Sequence, residues 1–205
     1  MTTLRLILGD QLNPLHSWFH ETRPDVIYVL MEVRQETDYV LHHAQKILAI
    51  FAAMRDFARR LAEAGHRTHY LAIDDPANRH SLPTNLDALI DQYAATRLEY
   101  QAPDEYRLDR QLADYAAQLA IPATMVDSEH FYTGRDDAAQ LFEGRKLWLM
   151  EHFYRHMRTR HDVLMAGGKP MSGQWNFDHD NRKPWPGLPR EPADWRTRQD
   201  RKSVV

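Results

Sequence analysis

Apolar residues gather into short runs along the first two thirds of the chain: LRLIL (4–8), DVIYVLM (25–31), RTHYLAI (67–73) and IPATMVD (121–127), with a weaker fifth, RLEYQA (97–102). Runs of this length, rich in aliphatic and β-branched residues, predict strands. Between them, apolar residues recur at i, i+3 and i+4 over 37–64, 83–95 and 104–119, the spacing of one helix face. Gly65 follows the first of these segments and Ser81-Leu82-Pro83-Thr84 precedes the second, which are ordinary stop and start signals. Strands alternate with helices, and the first runs are apolar on both faces, as in a parallel sheet covered on both sides. The pattern predicts an α/β fold: a doubly wound, five-stranded, mainly parallel sheet over residues 1–130.

In such a sheet the ligand crevice lies beyond the carboxyl ends of the strands, where the strand order reverses. Gly9-Asp10-Gln11 follows the first predicted strand, Glu32-Val33-Arg34 the second and Asp74-Asp75 the third. Gly9 permits a tight turn or a close backbone approach. Asp10 either accepts a hydrogen bond from a ligand or caps the turn that follows. Along 32–50, Glu36, Tyr39, His43, Lys46 and Ile50 recur at three- and four-residue steps, which places them on one stripe of the predicted long helix. That stripe suits a mixed polar and apolar pocket beside the first strand; a solvated ladder of side chains is the other reading.

From about residue 141 the pattern changes. LFEGRKLWLMEHFYRHMRTRH predicts a basic amphipathic helix carrying Trp148, Phe153 and Tyr154 among Lys146, Arg155, Arg158 and Arg160. After it comes a Gly-, Pro- and Trp-rich stretch without helical periodicity, which reads as an irregular linker. Residues 131–205 thus form a basic helix and linker. Its aromatic residues need a surface to pack on, which suggests a partner domain or chain.

Charge sharpens this division. Residues 1–134 hold 12 Lys/Arg against 19 Asp/Glu, and residues 135–205 hold 14 against 10. A basic last third suits a polyanionic partner or merely a solvated surface. The chain has no cysteine, which excludes disulfides, a thiolate nucleophile and a cysteine-held iron–sulfur cluster within these residues. No run of about 18 apolar residues occurs and no secretory signal pattern opens the chain, so a soluble, cytoplasmic protein without a membrane segment is expected. G-x-G-x-x-G, Walker A and G-x-S-x-G patterns are absent, and the spacing of the twelve histidines supports no metal site. No catalytic residue is assigned.

Four blocks, LILGDQLNP, MEVRQETDYVLHHAQKILAIFAAMRDFA, GRKLWLMEHFYRHMR and GQWNFDHDNRKP, together resemble the N-terminal portion of the deoxyribodipyrimidine photolyase-related proteins. This is the iron–sulfur bacterial cryptochrome/photolyase branch, which includes prokaryotic (6-4) photolyases. The resemblance covers about residues 4–186. It implies a Rossmann-like antenna domain that holds 6,7-dimethyl-8-ribityllumazine, ahead of a helical domain carrying FAD and a 4Fe-4S cluster that is not in this chain. It further implies light-driven repair of flipped-out pyrimidine photoproducts in damaged DNA by the complete protein, and no activity from these residues alone. Carried onto this sequence, the pigment site comprises Gly9, Asp10 and Gln11, then Met31, Glu32 and Val33, and Glu36, Tyr39, His43 and Ile50. Lys146, Arg182 and Lys183 become candidate phosphate contacts. The alternatives are a small nucleotide-binding protein using the same crevice, or an interaction module that docks a separate helical partner through its Trp-rich segment.

Overall fold

The computed structural model describes residues 1–178. The chain divides into two compact units, Met1–Asp137 and a second that begins at Ala138. In the first unit five strands, β1 (Thr2–Leu6), β2 (Val26–Met31), β3 (Thr68–Leu71), β4 (Ala95–Gln101) and β5 (Ala123–Val126), form one sheet in the order β3-β2-β1-β4-β5. Every pairing is parallel. Helices α1 (Arg34–Thr37), α2 (Ala44–Glu63), α3 (Leu82–Tyr93) and α4 (Tyr106–Gln118) connect the strands. This is the doubly wound α/β architecture predicted from the apolar runs.

Alternation along the strands divides the core between two faces. On one, Leu4, Leu6, Val29 and Leu98 pack with Leu86 and Leu89 of α3 and Leu112 of α4. On the other, Ile7, Tyr28 and Leu30 pack with Met54, Phe57, Ala58 and Leu61 of α2 and with Trp18. All six residues of β2 are buried, as a central strand covered on both sides requires. Arg5 is accommodated on the second face because its guanidinium meets Glu99 (2.9 Å) and the Tyr28 hydroxyl (3.1 Å) and lies over the Trp18 ring.

The expected bounds of the long helix need correction. The long helix over 37–64 begins only at Ala44. α1 ends at Thr37, whose hydroxyl turns back to the Arg34 carbonyl. His43 adopts an extended conformation (φ −67°, ψ 132°), and its side chain accepts the Gln45 N–H as the cap of α2. The i, i+3, i+4 pattern runs through the break in the sequence, although the backbone over 38–43 is not helical.

In the second unit α5 (Asp137–Leu141) enters from the boundary, and the basic helix α6 spans only Met150–Arg160. Gly144, at φ +71°, ends any helix through 141–149, so Lys146 precedes α6 rather than lying on it. Inside the stretch expected to be irregular, β6 (Met165–Ala166) and β7 (Lys169–Pro170) form a hairpin around Gly167-Gly168, both at positive φ. Arg158, buried, anchors that hairpin through the Val163 and Leu164 carbonyls (3.1 and 2.7 Å).

Among the described residues no helix is long and apolar enough to cross a membrane. Truncating a central core side chain measures the sheet's contribution. Leu6→Ala, at a fully buried position facing α3 and α4, is expected to lower the unfolding free energy by about 3 kcal/mol in urea titration. A loss below about 1 kcal/mol would contradict this packing.

Candidate functional site

β1 lies between β2 and β4, and the chain leaves those two neighbours in opposite directions. A crevice of about 410 Å³ opens at this reversal, over the end of β1. Its apolar walls are Leu8, Met31 and Val33 from the strand ends, Ile47, Ile50, Phe51 and Met54 from α2, and Leu82 and Leu108 from the starts of α3 and α4. Asp10, Glu36, Tyr39, His42, Lys46 and Glu105 supply its polar groups. Volume and lining match a small-molecule site: mostly apolar surface with a few convergent polar groups.

Of the ten residues assigned to a pocket, seven line this crevice: Gly9, Asp10, Met31, Val33, Glu36, Tyr39 and Ile50. A β-carbon on Gly9 would lie 3.0 Å from Ile50 Cγ2 and 3.1 Å from Met54 Sδ, so glycine there allows α2 to come down on the end of β1. Asp10 is exposed at the rim, and removal of neighbouring water is the largest influence on its carboxyl. That effect, with repulsion from Asp104 and Glu105, raises its pKa above the ordinary value.

The other three have structural roles. Gln11 is 1% exposed; its Oε1 accepts the Leu8 N–H (3.0 Å) and its Nε2 donates to the Gln101 and Ala102 carbonyls (3.2 and 3.4 Å). It braces the end of β1 against the end of β4. Glu32, 0% exposed, accepts both arms of Arg55 (2.5 and 2.8 Å), the Tyr70 hydroxyl (2.5 Å) and the Ile73 N–H (2.8 Å). Burial alone would raise its pKa, but these donors outweigh that and hold it below the usual value. His43 caps α2, and it is His42 that reaches the crevice. The single helical stripe proposed for Glu36, Tyr39, His43, Lys46 and Ile50 therefore does not exist, because only Lys46 and Ile50 lie on α2.

Sequence reasoning missed Arg107, as well as His42, Phe51 and Met54 of the lining. Arg107 grips Glu36 through Nη2 and Nη1 (2.7 and 3.1 Å) and Glu105 through Nε and Nη2 (2.9 and 3.1 Å), and its guanidinium carbon lies 4.2 Å from the Tyr39 ring centroid. Nothing local in the sequence marks it, since Glu36 is 71 positions away. Phe51 and Met54 could have been found by continuing the Ile47–Ile50 face of α2 one turn further.

Lys146 is exposed in the second unit, and Arg182 and Lys183 lie outside the described residues. No group of three or more His, Asp or Glu side chains capable of holding a metal ion occurs among the described residues.

A sequence profile described as deoxyribodipyrimidine photo-lyase-related protein matches residues 5–205. The chain belongs to this family. It is 38% identical over 186 residues to the (6-4) photolyase of Agrobacterium fabrum (strain C58 / ATCC 33970), an alignment covering 90% of this chain and 36% of that protein. The chain thus spans about a third of the length of that curated relative. An uncharacterized protein of Acanthamoeba polyphaga mimivirus is 22% identical over 199 residues, covering 91% of this chain and 96% of the viral one.

The Glu32 cluster gives this family member a defined acid response. Its pKa is lower in the folded chain than the ordinary value of 4.5, so its stabilisation is fully present above that value and is lost as pH falls through the folded one. Glu32→Gln is expected to reduce stability by about 2 kcal/mol at pH 7, an advantage of the natural residue that shrinks progressively below pH 4.5 in urea titrations. Equal pH profiles for the two proteins would refute the assignment.

Proposed function

We propose that the first unit is the antenna domain of a photolyase-family DNA-repair protein and that its crevice holds a flat heteroaromatic pigment, 6,7-dimethyl-8-ribityllumazine. The observation that supports this most is the crevice itself: apolar on the sheet, α2 and α3/α4 sides, polar at its mouth, and set over the strand-order reversal. Such a pigment supplies absorption of near-ultraviolet light and transfer of that excitation.

The residues fit the group. Met31, Val33, Ile50 and Phe51 give a flat ring apolar faces, and the Tyr39 ring adds an aromatic one. Asp10 is available to a ring N–H or a ribityl hydroxyl, as are His42 and Lys46 for ring carbonyls. Glu36 lines the site with its oxygens engaged by Arg107, so it contributes an ordered edge more than a free acceptor. A phosphate-bearing nucleotide is less well served. The Arg107 guanidinium is already engaged by Glu36 and Glu105, Asp10 places a carboxylate at the mouth, and the turn after β1 is not glycine-rich.

On this reading the flavin and the iron–sulfur cluster of the complete protein belong to another segment or chain, since these 205 residues contain no cysteine to hold the cluster. Repair of a pyrimidine photoproduct needs that flavin, so the chain alone is not active. Lys146, Arg182 and Lys183 contact phosphates of damaged DNA in the complete protein, which works in the cytoplasm. A docking role for the second unit accompanies this reading. Leu147, Trp148 and Met150 are 70, 61 and 75% exposed, a continuous apolar stretch suited to a helical partner.

The test is an absorption and fluorescence spectrum of the purified chain and of the supernatant after denaturation. A released pigment with lumazine bands, or uptake of added lumazine with 1:1 stoichiometry, is expected. Ile50→Trp, which fills the crevice from its half-exposed wall, should weaken uptake at least about tenfold while leaving the melting temperature within a few degrees. A colourless protein that takes up no lumazine would defeat the proposal.

A further inference from the structure

The connection from β2 to α2 changes character at Tyr39. Its first half is pinned to the body of the unit. The Gln35 N–H donates to the His80 carbonyl (3.2 Å), the Gln35 side chain accepts the Leu82 N–H (3.0 Å), and its amide donates to Gln111 (2.7 Å). Beyond Tyr39, Val40 and Leu41 are exposed, and the next side chain to find a backbone partner is His43, which turns to its own helix.

The pinning converges on one guanidinium. Glu36 and Tyr39 belong to the lip that follows β2, and Glu105 and Arg107 to the lip that follows β4; the end of β1 lies between them. Arg107 binds both carboxylates and covers the Tyr39 ring at the same time. Its own pKa is raised, first by the bond to Glu36, and its charge is thereby committed to the two lips. Three partners in three directions require a planar fork with several fixed donors; a lysine ammonium on a flexible stem cannot meet all of them.

We infer that Arg107 is a positioning residue: a latch that holds the two lips of the crevice at a fixed spacing and presents the Tyr39 ring as a preset wall for a flat ligand. Its benefit to pigment binding rests on the antenna reading, whereas the latch is a property of the free chain. Without it, residues 36–42 would have to be ordered by the ligand, and affinity would fall by the cost of that ordering. A merely structural ion pair would stabilise the whole unit; a latch changes local order at one segment.

Hydrogen–deuterium exchange on the full chain without ligand, followed by titration with 6,7-dimethyl-8-ribityllumazine, tests this. In Arg107→Ala and Arg107→Lys, exchange of residues 36–42 is expected to rise at least about fivefold while peptides from β1, β2 and β4 keep the natural rate. Lumazine affinity should fall about tenfold in both, lysine giving no rescue. If Arg107→Ala also loosens the strands, Glu36→Gln decides, because it leaves the Arg107–Glu105 pair in place and should accelerate the same segment alone. Unchanged exchange at 36–42, or full recovery with lysine, overturns the latch. A natural chain that shows the exchange pattern but binds no lumazine leaves the latch standing and removes the antenna reading. A chain that binds lumazine equally well with or without Arg107 overturns the positioning role of Arg107 in pigment binding and leaves the antenna reading standing.

Discussion

Everything in the first unit depends on one topological constraint: β1 has parallel partners on both sides, and the connections that follow those partners diverge. Divergent connections cannot cover the end of the strand between them, so a crevice is left there. Gly9 makes it usable by letting Ile50 and Met54 of α2 approach within van der Waals contact of the β1 end. Gln11 fixes its floor by hydrogen bonds to backbone carbonyls at the end of β4, a fully buried brace between the two strands that define the reversal.

Two carboxylates that sit four positions apart in the sequence show how environment divides labour. Glu32 is sealed under α2, where Arg55, Tyr70 and the Ile73 N–H satisfy it and keep it ionised. It holds the end of β2 in place and offers a ligand nothing. Glu36 stands at the crevice edge with Arg107, partly accessible, where the pair shapes an opening instead of a core. Membership of the photolyase-related family gives this arrangement a functional context, and the match to about a third of the (6-4) photolyase of Agrobacterium fabrum shows how much of such a protein these residues represent.

The fold was legible because a central parallel strand buried on both faces, as β2 is, leaves a continuous apolar run, and all five runs became strands within a few residues of their predicted bounds. Strand-end positions were legible in part: topology selects Gly9, Asp10 and Val33, which line the crevice, along with Gln11 and Glu32, which do not, while Met31 came from the family resemblance. What failed was local backbone detail. The break at Asp38–His43 is set by a histidine cap and by a threonine hydroxyl turning back to the Arg34 carbonyl, weak local bonds that apolar periodicity does not register. Arg107 failed for the opposite reason, since its partners Glu36 and Tyr39 lie about seventy positions earlier and only the folded sheet brings them together. In the second unit, the Gly167-Gly168 pair was a readable hairpin signal that the surrounding Pro and Trp content obscured.

The central claim, that the crevice over β1 is where this chain takes a small flat molecule, is tested most directly by mapping where lumazine protects the backbone. Exchange measured with and without saturating 6,7-dimethyl-8-ribityllumazine should slow in residues 7–10, 31–39 and 46–54 and nowhere else in the sheet. Protection confined instead to the groove between Leu12, Phe19, Phe57 and Leu61, or its absence throughout, would contradict the account.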